Sequence, residues 1–423
     1  MLDIRLVRDN SDLVRQALRN RGDDSSLDEV LKLDNDRRRL IAEVEGQRAA
    51  RRQVDKLIGQ VKGLASRPGA TDSQWQELAQ QAVRLGIPGE ATQVITAPAA
   101  FIDCLRDVRS RDSEKRDAEL KEIEQRLRTL LLLVPNVPSP DTPVGEGERD
   151  NVPVSTWGEI PQFTFTPRPH WELGERLNII DFQRGAKLSG TRFYILRGPG
   201  FRLQRALINF MLDVHVDKHG YTEMYLPFMV KSECLVGSGN LPRFADNLYH
   251  DAEEDFWFVP TAEVPLTYLH SDEILEGAQL PLYYVGYTAC FRREKMAAGK
   301  DTRGIKRGHQ FDKVELYKLT AAENSHEELG KMVADAGDIL QRLGLPHRVI
   351  RLCTAELGFA STETYDIEVW AAGCGEWLEV SSCSNCGDFQ ARRSNIRYRP
   401  GPGEKARLVH TLNGSGVALP RLL

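Results

Sequence analysis

Between Leu33 and Val61 the apolar positions Leu33, Leu40, Val44, Val54, Ile58 and Val61 follow a three-four alternation, interrupted by Arg37, Gln47 and Arg51. That spacing predicts one long amphipathic helix. A second stripe, Leu120, Ile123, Leu127, Leu130 and Val134, has the same period. Pairing the two stripes in an antiparallel coiled-coil hairpin is the simplest way to bury both. With about 30 helical residues at 1.5 Å each, such an arm would reach roughly 45 Å. Between the stripes, Pro68, Gly69, Gly86, Pro88, Gly89 and Pro98 interrupt any helix, and Phe101, Leu105 and Val108 sit one residue out of register with Leu120 onward.

The run Val134-Pro135-Asn136-Val137-Pro138-Ser139-Pro140, continuing through Pro143 and Gly147, cannot extend a helix and reads as a linker. We therefore expect a helical arm over 1–134, a proline-rich linker over 135–160 and a second domain over 161–423. Beyond the linker, strand-like and helical segments alternate, as in an α+β domain. Phe201 to His219 has helical periodicity, His219-Gly220 supplies a stop, and a strand follows to Pro227. No internal repeat is visible.

At 423 residues the chain is long enough for an enzyme domain with an appended module. The formal net charge of −5 argues against a protein basic throughout, but leaves a local nucleic-acid surface open. Seven scattered cysteines suggest no disulfide framework and fit a reducing compartment. The N-terminus lacks a signal-peptide core, and no stretch approaches the roughly 18 apolar residues of a membrane span, so a soluble, cytoplasmic protein without membrane association is expected.

Three late stretches mix arginines, carboxylates and apolar residues: Phe291-Arg292-Arg293-Glu294, His309-Gln310-Phe311-Asp312-Lys313-Val314-Glu315, and Glu379-Val380-Ser381-Ser382. Arginine forks pair with phosphate or carboxylate, carboxylates pair with an ammonium or a phosphate-bridging metal, and an aromatic face stacks on a purine. That mixture suits ATP together with an amino acid. Neither a P-loop nor a dinucleotide fingerprint is present, which leaves a sheet-based phosphate site.

Phe291 to Glu294, continued by Asp301-Thr302-Arg303-Gly304-Ile305 and His309 to Glu315, resembles the second signature motif of seryl-tRNA synthetases, class II enzymes built on an antiparallel sheet. Val259-Pro260-Thr261-Ala262-Glu263-Val264-Pro265 is similar to that family's serine-site segment. Glu379 through Asn385, Asp388-Phe389-Gln390-Ala391-Arg392-Arg393, and Leu412-Asn413-Gly414-Ser415-Gly416 match further family stretches. The implied fold is an N-terminal antiparallel helical arm followed by a class II catalytic domain with a central antiparallel sheet.

The resemblance implies that L-serine is held by Thr261, Ala262, Glu263, Glu315 and Ser415, the acids meeting its ammonium and Ser415 reading its hydroxyl. ATP falls to Arg292, Arg293, Glu294, Phe311, Glu379, Val380, Ser381 and Ser382. Within that set, Arg292 takes the α-phosphate and serine carboxylate, Glu294 the adenine edge, Phe311 the purine face, and Glu379 with Ser382 a Mg2+ ion. Arg292, Glu315 and Arg421 form the catalytic set, Arg421 being the late arginine of the third motif. The implied partners are tRNA(Ser), gripped by the arm with Arg38, Arg48 and Arg52 as phosphate contacts, and a second copy of the chain across Phe201 to Pro227. Cys383 and Cys386, with Cys374 nearby, make only a single C-x-x-C, so no structural zinc is expected. His309 reads as structural, because a serine carboxylate needs no deprotonation at neutral pH.

Three features depart from the family pattern. Lys295-Met296 stands where Ala-Gly is usual, and the arm's midsection, Leu64 to Asp107, is longer and more broken than a clean hairpin. The chain ends at Leu423, where the family continues into a helix that seats the late arginine, and Pro420 replaces a small residue. Reduced ATP affinity or turnover is the expectation, since terminal residues fray unless docked. Two alternatives stay open: a serine-activating paralog that loads a non-tRNA carrier, and a catalytically impaired RNA-binding protein.

Overall fold

The computed structural model describes residues 1–85, 98–110, 113–295 and 303–423. Gly86, Pro88 and Gly89 of the arm, and Met296, Asp301 and Thr302 of the motif region, lie outside the described residues. The chain divides into two compact units, Ser26–Leu131 and Met1–Ser25 with Leu132–Leu423.

In the first unit α1 (Asp28–Ala65) runs for 38 residues, about 57 Å at 1.5 Å per residue. It pairs with α4 (Ser113–Leu131). The pairing is laced by Arg37–Glu124 at 3.1 Å and Arg48–Asp117 at 3.0 Å, and by Arg116–Glu43 and Arg126–Glu29. From Glu29 and Arg37 to Glu43 and Arg48 along α1, the partners on α4 drop from Arg126 and Glu124 to Arg116 and Asp117, which is the antiparallel sense; such exposed pairs select a register more than they stabilise it. The midsection folds as α2 (Asp72–Arg84) and α3 (Pro98–Ser110). Here Gln74 Oε1 accepts the Thr71 N–H at 3.1 Å at the start of α2. Leu78, Ala82, Phe101 and Leu105 pack on Val54, Leu57, Ile58 and Val61 of α1. Phe101 and Leu105 of the out-of-register stripe therefore belong to a local three-helix core, and the Val108 side chain lies outside what is described.

The second unit is built on an eight-stranded sheet: β1 (Val152–Trp157), β2 (Thr222–Met224), β3 (Leu282–Phe291), β4 (Gln310–Thr320), β5 (His347–Arg351), β6 (Glu363–Ala371), β7 (Glu376–Asn385) and β8 (His410–Ala418). Their order is β1-β5-β6-β7-β8-β4-β3-β2, antiparallel except for the β2–β3 pair. Along β4 the side chains alternate between faces. Val314 and Leu316 join Met211 and Val214 of α5 (Pro199–Asp217) and Met332 and Ile339 of α6 (Ser325–Arg342) in the main core. Tyr317 packs on the other face with Ala262, Leu266 and Ala391. The chemistry is confined to that second face.

Residues 135–160 are more tightly bound than a linker. Asn136 N–H donates to Phe359 O at 2.9 Å, and Ser139 N–H to Thr362 O at 2.8 Å. Val152–Trp157 is the edge strand of the sheet. Met1–Ser25 joins this unit because Arg21 donates to the carbonyls of Asn136, Gly358 and Ser361 at 2.8, 2.9 and 2.8 Å. An arginine among backbone oxygens leaves no readable hydrophobic period, which is why the sequence pattern ran the arm continuously over 1–134.

Lys318 on β4 is 0% exposed, pairs with Glu328 of α6 at 2.9 Å and lies 4.1 Å from the Tyr283 ring centroid. Lys318→Ala takes from that carboxylate one of three partners, Lys331 at 2.7 Å and Tyr283 remaining, and we expect the unfolding free energy measured in urea to drop by about 1–3 kcal/mol. Lys318→Met paired with Glu328→Gln should lose clearly less.

Candidate active site

A cleft of ≈ 260 Å³ opens on the polar side of β3, β4, β7 and β8. Thr261, Glu263, Glu315 and Ser415 line one part of it, with Arg292, Glu294, Phe311, Glu379, Ser382 and Arg421 around the rest. Four predicted residues lie outside this lining. Ala262 is buried at the start of the helix Glu263–Tyr268, packed with Leu226 and Tyr317. The Arg293 guanidinium sits 5.9 Å from the Tyr249 ring centroid. Val380 turns into the main core, and Ser381 donates its hydroxyl to Ser415 O at 2.6 Å.

Alternation on β4 puts Lys313 and Glu315 on the cleft side. Glu315 is 1% exposed, accepts the Thr261 hydroxyl at 3.0 Å and pairs with the Lys313 ammonium. Glu263 comes from the first turn of its helix and accepts Gln390 Nε2 at 2.6 Å and Asn413 Nδ2 at 3.1 Å. Burial, reinforced by the charge of Glu315, pushes the Glu263 carboxyl up to about 7. Two acids on one wall with hydroxyl and amide donors around them form a receptor for a small cation bearing polar groups.

The other half of the cleft carries positive charge. Arg292 donates Nε–H to Pro260 O at 3.2 Å, with its guanidinium 5.0 Å from the Phe311 ring centroid. Glu294 adopts a left-handed φ of 50° and lies 3.6 Å from Arg307. Lys306, paired with Glu376 at 2.7 Å, also lines the cleft. Arg421 donates to Glu379 O at 2.8 Å and lies 3.1 Å from Glu379 Oε1. His309 Nδ1–H donates to Arg292 O at 2.9 Å, and Arg292 N–H returns a bond to His309 O at 2.9 Å. That reciprocal pair fixes the backbone where β3 hands over to β4.

Glu379 and Ser382 offer hard oxygen donors to the cleft. Behind them Asp366, opposite Ser382 in the β6–β7 register, has a buried Oδ1 without a hydrogen-bond partner. Burial, then the charge of Glu379, holds its carboxyl well above the usual range. This donor set fits a Mg2+ ion that takes one or two protein oxygens and completes its shell from phosphates and water. Among the described residues no group of three His, Cys, Asp or Glu side chains could hold a metal without such help. Cys383 is buried in the core, and Cys386 Sγ accepts the Asn413 amide at 3.4 Å.

Lys306, Arg307, Lys313 and Asn413 line the cleft without a role assigned from sequence. Lys313 and Asn413 had a signal, since each lies two positions from a predicted residue, Glu315 and Ser415, on the same strand.

A family profile described as tRNA synthetase class II core domain (G, H, P, S and T) matches residues 245–423, and one described as Seryl-tRNA synthetase N-terminal domain matches residues 1–86. A serine–tRNA ligase of Dehalococcoides mccartyi is 54% identical over 100% of this chain and 93% of its own length. The chain belongs to the seryl-tRNA synthetase family. Another such synthetase, from Thermomicrobium roseum, is 52% identical over 100% of this chain and 88% of its own. The crystal structure of seryl-tRNA synthetase from Pyrococcus horikoshii complexed with ATP superposes with a TM-score of 0.82, at 36% identity, covering 100% of this chain and 92% of that one. A cytoplasmic serine-tRNA ligase from Naegleria fowleri in complex with AMP gives 0.78 at 28% identity, covering 100% and 91%.

In carbon-13-labelled protein of this synthetase-family chain, the Glu263 carboxyl resonance should titrate near 7 in the empty site. Glu315→Gln should lower that midpoint, because removing the neighbouring negative charge eases ionisation. A Glu263 midpoint at the ordinary 4.5 would contradict the electrostatics described above.

Proposed function

We infer that this chain activates L-serine with ATP to give seryl-adenylate and pyrophosphate, then transfers serine to the 3′ end of tRNA(Ser). The observation that carries the reading is the polarity of the cleft: a buried pair of acids with Thr261 and Ser415 at one part, and Arg292 over Phe311 with Arg421 elsewhere. Family membership and the superposition on an ATP-bound synthetase agree with it.

Glu263 and Glu315 meet the serine ammonium, and Thr261 fixes the orientation of Glu315. Ser415 faces the hydroxyl, so alanine is rejected because polar groups would stay unpaired, and larger side chains because they do not fit. Arg292 bridges the serine carboxylate and the α-phosphate, Phe311 stacks on the purine and Glu294 meets its amino edge. A serine carboxylate oxygen attacks the α-phosphorus in line as the bond to the β-phosphate oxygen breaks and pyrophosphate leaves. Arg292 and Arg421 hold the charge that builds on the phosphates, so positioning and electrostatics carry the step. Glu379 and Ser382 would hold Mg2+, which supplies charge neutralisation along the phosphates. In the second step a hydroxyl of the terminal tRNA ribose attacks the seryl carbonyl and AMP departs.

The helical unit Ser26–Leu131 serves as the arm for tRNA, where Arg38, Arg48 and Arg52 offer phosphate contacts. Phe201 and Leu203 on α5, together with Tyr225 at 95% exposure, present apolar surface suited to a second copy of the chain. No helix among the described residues is long and apolar enough to cross a membrane. The described cysteines form no disulfide, which supports a reducing compartment such as the cytoplasm.

Serine-dependent exchange of pyrophosphate into ATP tests the first step; its absence at high serine overturns the reading. Glu315→Ala should remove serine dependence while ATP still binds. Deleting residues 26–131 should leave exchange and abolish charging of tRNA(Ser), whereas charging that survives the deletion would remove the arm's role. In sedimentation the chain should run as a dimer, and Phe201→Asp with Tyr225→Asp as a monomer.

A further inference from the structure

Behind Glu263 and Asn413 lies a second cavity of ≈ 200 Å³, walled also by Ser238, Phe359, Ser384 and Cys386. Glu263 and Asn413 line both spaces, so the partition between them is one side chain thick. A carboxylate there has room on either side, and close packing alone does not fix its rotamer.

What fixes it is a set of amide donors. Gln390, 0% exposed on the short helix Phe389–Ser394, donates Nε2–H to Glu263 Oε1 at 2.6 Å, and Asn413 donates to the same oxygen at 3.1 Å. The orientation of the Gln390 amide is unambiguous, because its Nε2 also lies 3.0 Å from Ser238 O, a carbonyl that can only accept. Its Oε1 in turn accepts the Thr411 hydroxyl at 2.6 Å and faces the Tyr317 hydroxyl at 3.4 Å. Gln390 is thus clamped from β4, β8 and the helix Ser232–Ser238, and cannot turn without leaving several polar groups bare. Both donors meet Oε1, which leaves Oε2 outside this pair of bonds for a cation in the cleft.

We propose that Gln390 is a positioning residue for the amino acid: it holds Glu263 on the cleft side of the partition and favours its charged form. The inference rests on the assignment of Glu263 to the serine ammonium. The groups that face Glu263 are Glu315 and Lys313 on β4, Arg292 after β3, Gln390, Asn413, Tyr317 and Cys386. Burial, then Glu315, drives its carboxyl towards the protonated form, whereas Gln390, Lys313 and Arg292 oppose that. Without the Gln390 donor the carboxyl holds its proton to higher pH and is free to swing into the rear cavity. Both effects weaken serine and leave ATP untouched, since none of these bonds reaches the Arg292–Phe311 side.

The test is pyrophosphate exchange by the full chain, with serine and ATP varied separately between about pH 6 and 9, for Gln390→Met and Gln390→Glu. The first removes both polar atoms at similar volume; the second keeps an acceptor for Thr411 and Tyr317, and carries the test if the first fails to fold. We expect the serine KM to rise about tenfold near neutral pH, as for a lost hydrogen bond to a charged group. The ATP KM should stay within about twofold, and the pH at which the serine KM levels off should move up by about one unit. Serine and ATP KM values that rise together, or an unshifted pH profile, would make Gln390 a plain core residue and overturn the proposal. Glu263→Gln separates the two readings: if it leaves the serine KM unchanged, the assignment of Glu263 fails first. If it raises the serine KM while the Gln390 variants behave like the parent, only the role of Gln390 fails.

Discussion

Two carboxylates, Glu263 and Glu315, are buried within interacting distance in one pocket, and much of the surrounding structure answers to that arrangement. Taking a charge out of water is tolerable only with partners, and two like charges together raise the demand. Glu315 meets it through Thr261 and Lys313, Glu263 through Gln390 and Asn413. Those partners come from β4, from β8, from the turn before Glu263 and from the helix Phe389–Ser394. Strand pairing, helix placement and the geometry of the acid pair are therefore one problem, because displacing any of these elements strands a buried acid.

The sheet solves the problem by dividing its faces. Val314 and Leu316 anchor β4 on α5 and α6, so the alternating Lys313 and Glu315 face the cleft, where their own ion pair and Thr261 hold them. The residue types of the cleft were legible in the sequence. The fates of Val380 and Ser381 were not. A register shift in β7 opposite Ile367 and Glu368 breaks the simple period, so the run Glu379 to Ser382 sends only its ends into the cleft. Bulges leave no dependable mark on a hydrophobic pattern.

The helical unit shows the same division between what periodicity carries and what it hides. The stripe of α1 announces a helix because its apolar positions recur at three- and four-residue steps on either side of the interruptions at Arg37, Gln47 and Arg51. It cannot announce that Leu78, Ala82, Phe101 and Leu105 cover the C-terminal half of that face, since the covering helices are short and separated by prolines and glycines. A stripe read as out of register with one partner was in register with another. Likewise, Arg21 binds residues 135–160 and 357–361 through backbone carbonyls, a contact that requires tertiary placement and has no local signature.

Arg421 illustrates how a site residue acquires order from its neighbours. β8 runs into the short helix Leu419–Leu422, Leu419 is buried in the main core beside α5, and the guanidinium reaches back to both the carbonyl and the carboxylate of Glu379 on β7. Glu379 in turn lies beside Asp366, whose buried oxygen lacks a partner. The positive charge of Arg421 thus offsets that of Glu379, and Glu379 keeps the arginine extended along the cleft. Arg421 and Glu379 are only partly buried, so this end of the cleft, like the end that holds Glu263 and Glu315, is set by paired groups and not by any single residue.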